Sequence, residues 1–286
     1  MRYTMILGLV SMLCASCIGY SPAATSAAAP TYLALGDSLA YGMQIGHLKQ
    51  EIAAGDVTAS SFNTGYVNLI AERLDSTTPG LRVVDLGCPA ETSSSFIQGP
   101  CGFATTGKPF GHTPLPMHVQ YKGAQLTEAL GDLRNNHGDV QLITLDLGIN
   151  DLRAIELKCT DESTFETCLQ NGWPAASKTL ESNLHSILSQ LRSAAPKTKI
   201  LVMTYYNWLA VAHPRSNQQV KELNGIITKE ASAFNAGTVH VFSSFNAAPG
   251  GNATLCRLSL ICGPTKDLHP TNAGYALIAQ LFERQL

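Results

Sequence analysis

Charge is what this sequence has least of. Lys, Arg, Asp and Glu together make up 14% of its 286 residues, against roughly 25% in an average globular chain, and the formal net charge is −2. The charges present lie scattered, with no long run of one sign. Such a balance gives no basic footprint for nucleic acid and no electrostatic hold on a membrane surface. Several chemical signatures are missing too. There is no HExxH, no GxGxxG, no CxxC after residue 30 and no cysteine–histidine grouping at structural-zinc spacing, so neither a metal nor another cofactor is expected. Gly102 to Lys108 starts like a phosphate-binding loop. Pro109 stands where the magnesium-binding hydroxyl residue belongs, and no strand leads into the segment, which argues against a nucleotide site.

Residues 1–30 read as a secretory signal and a short leader rather than as part of the fold. Arg2 is their single charge, and Met5 to Gly19 form an apolar run that is too short and interrupted for a membrane span. Cleavage is expected in the Ala-rich tract after Ala23. Cys17, preceded by Ala15 and Ser16, offers the alternative of a lipidated first residue, although Cys14 rather than Leu stands three positions before it. The expected location is therefore secreted or periplasmic, or lipid-anchored through Cys17. Of eight cysteines, six follow the leader, and an even number in an exported chain implies disulfides. Their layout in three close couples favours Cys88–Cys101, Cys159–Cys168 and Cys256–Cys262 over the other pairings, with buried free thiols as the alternative. The sequon Asn252-Ala253-Thr254 matters only in a glycosylating host.

Five β-rich apolar runs follow: Tyr32–Gly36, Leu81–Leu86, Leu142–Gly148, Lys199–Tyr205 and Val239–Phe242. They are continuous rather than alternating, as expected when helices cover both faces of a parallel sheet. Helical patterns lie between them, at Tyr66–Leu74, Tyr121–Arg134, Ala175–Ala194, Asn217–Phe234 and Ala273–Leu286. This alternation predicts an α/β fold, a three-layer α/β/α sandwich around a five-stranded parallel sheet of flavodoxin-like order 2-1-3-4-5. No repeat or linker interrupts it, so residues 31–286 are expected to form one domain. In such sheets ligands bind beyond the carboxyl ends of the strands, where the strand order reverses between the first and third.

Three segments at those ends carry candidate chemistry. The first run ends in Gly36-Asp37-Ser38-Leu39, which sets Ser38 on a tight strand-to-helix turn; a capping serine is the plainer explanation. The third ends in Gly148-Ile149-Asn150-Asp151, which sets Asn150 across the crevice from Ser38. An Asn amide can donate to an oxyanion without adding charge, though a turn-forming Asn-Asp pair would look the same. The last helix is preceded by Asp267-Leu268-His269-Pro270. In extended chain, residues i and i+2 face the same side, so Asp267 can orient the His269 ring, and His269 can take a serine proton. A capping segment with a surface His is the plain alternative.

Together and in this order these segments resemble the GDSL, or SGNH, hydrolase family. Gly36-Asp37-Ser38-Leu39 resembles its nucleophile block, Gly87 in Asp85-Leu86-Gly87-Cys88 its glycine block, Gly148-Ile149-Asn150-Asp151 its GxND block, and Asp267-Leu268-His269 its C-terminal block. The resemblance spans residues 32 to about 285. It implies a nucleophilic Ser38, a base at His269, an orienting Asp267, and an oxyanion hole of the Ser38 and Gly87 N–H groups with the Asn150 amide. Chemistry agrees, because a free serine needs a neighbouring base and a tetrahedral intermediate needs fixed donors. The order Ser…Asp…His is also that of α/β-hydrolases, but the two-residue Asp–His spacing and the lack of Gly-x-Ser-x-Gly separate this chain from them.

The long segments Met43–Thr64, Pro89–His118, Leu152–Trp173 and Asn207–Arg215 should crowd the rim of the crevice and shape the substrate pocket. Tyr41, Phe62, Phe96, Phe103, Trp173 and Trp208 are candidates for lining an acyl groove, with ordinary packing as the alternative. The expectation is a secreted serine esterase or lipase acting on acyl or lipid esters through a Ser38 acyl-enzyme. Carbohydrate acetylesterase, phospholipase and thioesterase are the alternatives within the fold. A non-catalytic binding protein is the rival of another class, and it predicts a lost motif residue where none is missing.

Overall fold

In the computed structural model, residues 1, 29–106, 115–136 and 139–286 are described. Residues 2–28 of the leader, with Cys14 and Cys17, and the Gly107–Pro109 part of the phosphate-loop look-alike fall outside them. Five strands form one parallel sheet: β1 (Thr31–Gly36), β2 (Arg82–Asp85), β3 (Val140–Asp146), β4 (Lys199–Met203) and β5 (Gly237–Val239), in the order β2-β1-β3-β4-β5. Every residue of β1 is buried, which is why the sequence runs apolar there without alternating. The helices Tyr66–Asp75, Gln125–Asn135, Phe165–Ala194, Asn217–Ala233 and Asn272–Glu283 turn their apolar stripes inward. Leu180, Leu184, Ile187, Leu188 and Leu191 of the longest are all buried.

The structure departs from the sequence pattern at several ends. The last strand lies earlier than its apolar run, because the Val241 N–H donates to Thr204 Oγ1 at 3.0 Å and the next residues, Phe242–Phe245, turn into helix. The helix expected from Tyr121 starts at Gln125; Ala124 is extended, and the Tyr121 hydroxyl donates to the Leu86 carbonyl at 2.9 Å. The expected rim segments are partly helical. Ile45–Ala54, Ser93–Gln98 and Ile149–Glu156 are helices, and the helix assigned from Ala175 already begins at Phe165, with Pro174 inside it.

Three disulfides join Cys88 to Cys101, Cys159 to Cys168 and Cys256 to Cys262, with Cα separations of 5.9, 5.7 and 5.2 Å. Among the described residues no helix is long and apolar enough to cross a membrane, and no group of three or more His, Cys, Asp or Glu side chains is placed to hold a metal ion.

Candidate active site

The reversal of strand order puts the ends of β1, β2 and β3 side by side, and the chemistry-bearing segments leave from those ends. Gly36 is the last residue of β1 and lies opposite Asp146 in the ladder. Its φ of 145° is open to glycine, and a Cβ there would fall 1.6 Å from Asp146 Oδ1. Asp37 then caps a short helix, Ser38–Tyr41, by accepting the Leu39 N–H at 2.9 Å. Ser38, first in that helix, has no intrahelical acceptor for its own N–H.

Ser38, His269 and Asp267 form a continuous hydrogen-bonded row. Ser38 Oγ lies 2.9 Å from His269 Nε2, and His269 Nδ1 lies 2.6 Å from Asp267 Oδ1. All three side chains are buried. The His269 N–H donates to Asp267 Oδ1 at 3.1 Å, and the Ile45 N–H donates to Asp267 Oδ2 at 2.7 Å. Burial works against the Asp267 charge, but these hydrogen bonds and the neighbouring His269 outweigh it and hold the carboxyl below its usual range. The loop bearing His269 is anchored from outside. Ser259 and Pro270 form an antiparallel bridge, the Leu260 N–H donates to the His269 carbonyl at 2.9 Å, and the Tyr206 hydroxyl donates to the Leu268 carbonyl. Cys256–Cys262 ties together the helix and turn that make those contacts.

Asn150 stands in the first turn of the helix Ile149–Glu156, behind Gly148. Its amide donates to the Glu91 carbonyl at 3.0 Å and approaches Asp37 Oδ2 at 3.4 Å. The amide therefore lies between the Pro89–Glu91 turn and the Ser38 turn.

Gly87 is placed differently from the expectation. Its N–H donates to Asp85 Oδ1 at 2.9 Å, two residues back, and so is already engaged. What the position requires is close approach: a Cβ would lie 2.7 Å from the Tyr41 backbone nitrogen and 2.9 Å from the Ala40 Cβ. Four residues on, the Glu91 N–H donates to the Cys88 carbonyl at 3.0 Å and closes a turn with Pro89 and Ala90 at its centre. Ala90 has a φ of 65°, a conformation an L-residue adopts at a cost and one that turns of this kind reserve for glycine. Ala90 is exposed and directly precedes the residue that receives the Asn150 amide. The signal for it in the sequence was the Pro89-Ala90 turn, and the glycine three residues earlier drew attention instead.

Of the six aromatic candidates, Tyr41, Phe62, Phe96, Phe103 and Trp173 pack into the core, Tyr41 tilted against Phe62 with ring centres 4.9 Å apart. Trp208, though buried, borders a cleft with Leu209, His213, Ile261 and Leu268. Sequence reasoning also missed a supporting shell of buried polar groups. Gln125 clamps Gly36, accepting its N–H at 2.7 Å and donating to its carbonyl at 2.9 Å, while also donating to Glu91 Oε2 at 3.1 Å. Burial pushes Glu91 up to about 7, against hydrogen bonds from Ser95 and Gln125. Burial likewise pushes Asp85 up to about 6, against His118 and the Gly87 N–H.

A parallel sheet with a buried Ser-His-Asp row at its strand-reversal edge defines an α/β hydrolytic enzyme. The family model described as the GDSL-like lipase/acylhydrolase family matches residues 34–277, and the chain belongs to that family of ester hydrolases. Among solved structures, the extracellular lipase of Streptomyces rimosus is 17% identical with a TM-score of 0.60, aligned over 90% of this chain and 100% of the lipase. Phospholipase A1 of Streptomyces albidoflavus NA297 is 18% identical with a TM-score of 0.59, over 91% and 100% of the two chains. The acetylxylan esterase Axe2 of Geobacillus stearothermophilus is 16% identical with a TM-score of 0.54, over 90% and 93%. At these identities the likeness is one of fold. A search of curated proteins returned no match.

Proposed function

We propose that this ester hydrolase works through a covalent acyl-enzyme on Ser38. The observation that carries the reading is the unbroken row Asp267–His269–Ser38. A serine hydroxyl attacks an ester carbonyl only as a base removes its proton, and His269 Nε2 stands within hydrogen-bond reach to do so. Asp267 holds the ring with Nδ1 protonated and offsets the imidazolium charge that forms. Collapse of the tetrahedral intermediate transfers the proton from His269 to the leaving alcohol. Water, activated by the same imidazole, then hydrolyses the acyl-enzyme.

The developing oxyanion needs fixed donors. The Ser38 N–H is one. Asn150 is the second: its amide is anchored on the Glu91 carbonyl at 3.0 Å, and its longer 3.4 Å contact with Asp37 Oδ2 is the one an oxyanion would replace. The Ala90 N–H takes the third place in this reading, where sequence had put Gly87. Two features support the substitution: the Gly87 N–H is held by Asp85, and the Asn150 amide rests on the carbonyl of the residue after Ala90. The strained φ of Ala90 is what a fixed, site-facing backbone would cost.

The substrate class that we favour is an acyl or lipid ester, handled outside the cytoplasm by a single catalytic unit over residues 31–286. The three disulfides and the leader pattern support export. The proteins of similar fold include a lipase, a phospholipase and an acetylxylan esterase, so the experiment compares those classes. Intact protein would be treated with a fluorophosphonate, the adduct mapped, and hydrolysis measured on nitrophenyl esters of graded acyl length, phospholipids, acetylated sugars and thioesters. An adduct on Ser38 with the highest kcat/KM on longer acyl esters is expected. An adduct elsewhere overturns the mechanism, and a strong preference for acetylated sugars overturns the substrate class alone.

A further inference from the structure

Beneath the Ser38 turn lies a pair of acids that the mechanism leaves unused. Asp37 and Asp146 are both fully buried, at 0% exposure, and their carboxyl groups take the N–H groups of successive residues, Leu39 at 2.9 Å and Ala40 at 3.1 Å, which brings the two acids together under one turn. Two ionised carboxylates can only accept, so neither could satisfy the other. Neither acid forms an ion pair with a Lys or Arg among the described residues, so no cation neutralises them. Two bare anions side by side in a dry interior are far too costly to persist, and the pair must hold a proton.

The surrounding contacts say which acid carries it. Asp37 accepts on both oxygens, from the Leu39 N–H at 2.9 Å and from the Tyr205 hydroxyl at 2.8 Å, and its neighbours include Asn150 and His269. Burial raises Asp37 to about 6, and these donors with His269 offset only part of it. Asp146 accepts the Ala40 N–H at 3.1 Å and the Tyr66 hydroxyl at 3.2 Å, both longer bonds. Burial, followed by the charge of Asp37, pushes Asp146 well above the usual carboxyl range. The other titratable groups facing the pair are Tyr32, Tyr206, Tyr275 and Glu91, and none is cationic.

We infer that Asp146 is a positioning residue: a carboxylic acid that stays protonated at neutral pH, donates to Asp37, and thereby sets the turn that presents Ser38. The two acids take the N–H groups of Leu39 and Ala40, the residues that follow Ser38. Together they hold the turn with the Ser38 N–H directed elsewhere. The same arrangement explains Gly36, since any side chain there would occupy the space of the Asp146 carboxyl. Asp146 acts through Asp37 and the backbone and touches no reacting atom.

The inference rests on Ser38 as the nucleophile, and its test separates the two. Infrared difference spectra of the intact protein and Asp146→Asn at neutral pH are expected to show a protonated-carboxyl C=O band that the variant lacks. The Asn amide can donate to Asp37 and accept from Ala40, so kcat on a nitrophenyl ester should stay within about fivefold of wild type. Asp146→Ala, which leaves Asp37 without its donor, should lose roughly tenfold or more in kcat at similar KM. Absence of the acid band, or an Asn variant as impaired as the Ala variant, overturns the inference. If Asp146→Ala does not fold, the band and the Asn variant still decide. Failure of Ser38 to label in the wild-type protein would overturn the nucleophile, while the infrared band would still decide the acid pair.

Discussion

The carboxylate of Asp267 accepts the backbone N–H of Ile45 at 2.7 Å, across 222 positions of the chain. Its other oxygen holds His269 at 2.6 Å. The orienting acid is thus itself oriented, by the first residue of a helix that sequence had assigned to a rim loop. Asp267→Asn keeps an acceptor for Ile45 but cannot hold His269 in the same tautomer as a charged partner. It should fold normally and lose roughly 10⁴-fold in kcat. His269→Ala should abolish turnover in a folded protein. Circular dichroism and steady-state kinetics check both, and near-normal activity in either variant would remove the triad.

Asn150→Ala distinguishes a turn residue from an oxyanion donor. A donor whose bond strengthens as charge develops predicts a loss of about 10²- to 10³-fold in kcat with little change in KM. Early melting with wild-type kcat would instead mark Asn150 as a turn residue.

Ala90 and Gly87 make a paired prediction. Ala90→Gly relieves a left-handed alanine and should raise the melting temperature while keeping activity, because the N–H stays in place. Gly87→Val forces a side chain against Tyr41 and Ala40 and should impair folding and turnover together. A stable, active Gly87→Val would contradict the packing.

The buried acids set a pH dependence of stability. Glu91 at about 7 and Asp85 at about 6 keep their protons in the folded protein after the unfolded chain, near its ordinary carboxyl values, has released them. Over that window the native state binds more protons, so stability falls as pH rises, until about pH 7. Asp267, held low, acts oppositely, and its contribution is lost as pH falls below the ordinary carboxyl value. The melting temperature should therefore be higher near pH 5 than near pH 8, and Glu91→Gln should flatten that difference. An unchanged slope in Glu91→Gln would show that Glu91 is not the group responsible.

The disulfides should differ in consequence. Each closes a short loop, of sequence separation 13, 9 or 6, and in the chain-entropy model a loop of about 15 residues is worth roughly 3 kcal/mol. Cys88–Cys101 adjoins the Pro89–Ala90 turn, and Cys256–Cys262 braces the loop under His269. Removing either by Cys→Ser pairs should lower kcat as well as the melting temperature. Removing Cys159–Cys168, on the helix start at Phe165, should lower the melting temperature alone. Equal loss of kcat from all three removals would show that position relative to the site does not matter.

The sequence alone pointed to a covered parallel sheet, to Ser38, His269 and Asp267, and to the disulfide layout. Each is recorded in local pattern: continuous apolar runs for a covered sheet, an Asp two residues before a His, cysteines in close couples. It did not reveal what holds these groups. Asp146 was one carboxyl in an apolar strand, which was a clue, but its place against Asp37 follows from the β1–β3 register that sets Gly36 opposite it. The Gln125 clamp, the Ile45 contact and the engaged Gly87 N–H likewise join segments far apart or depend on where a backbone hydrogen points. Hydrogen-bond direction and long-range register are set when the chain packs, because buried polar groups must then find partners wherever the fold brings them. The tertiary structure therefore decided which glycine serves packing, which backbone N–H groups are already engaged, and which carboxyls lie buried together.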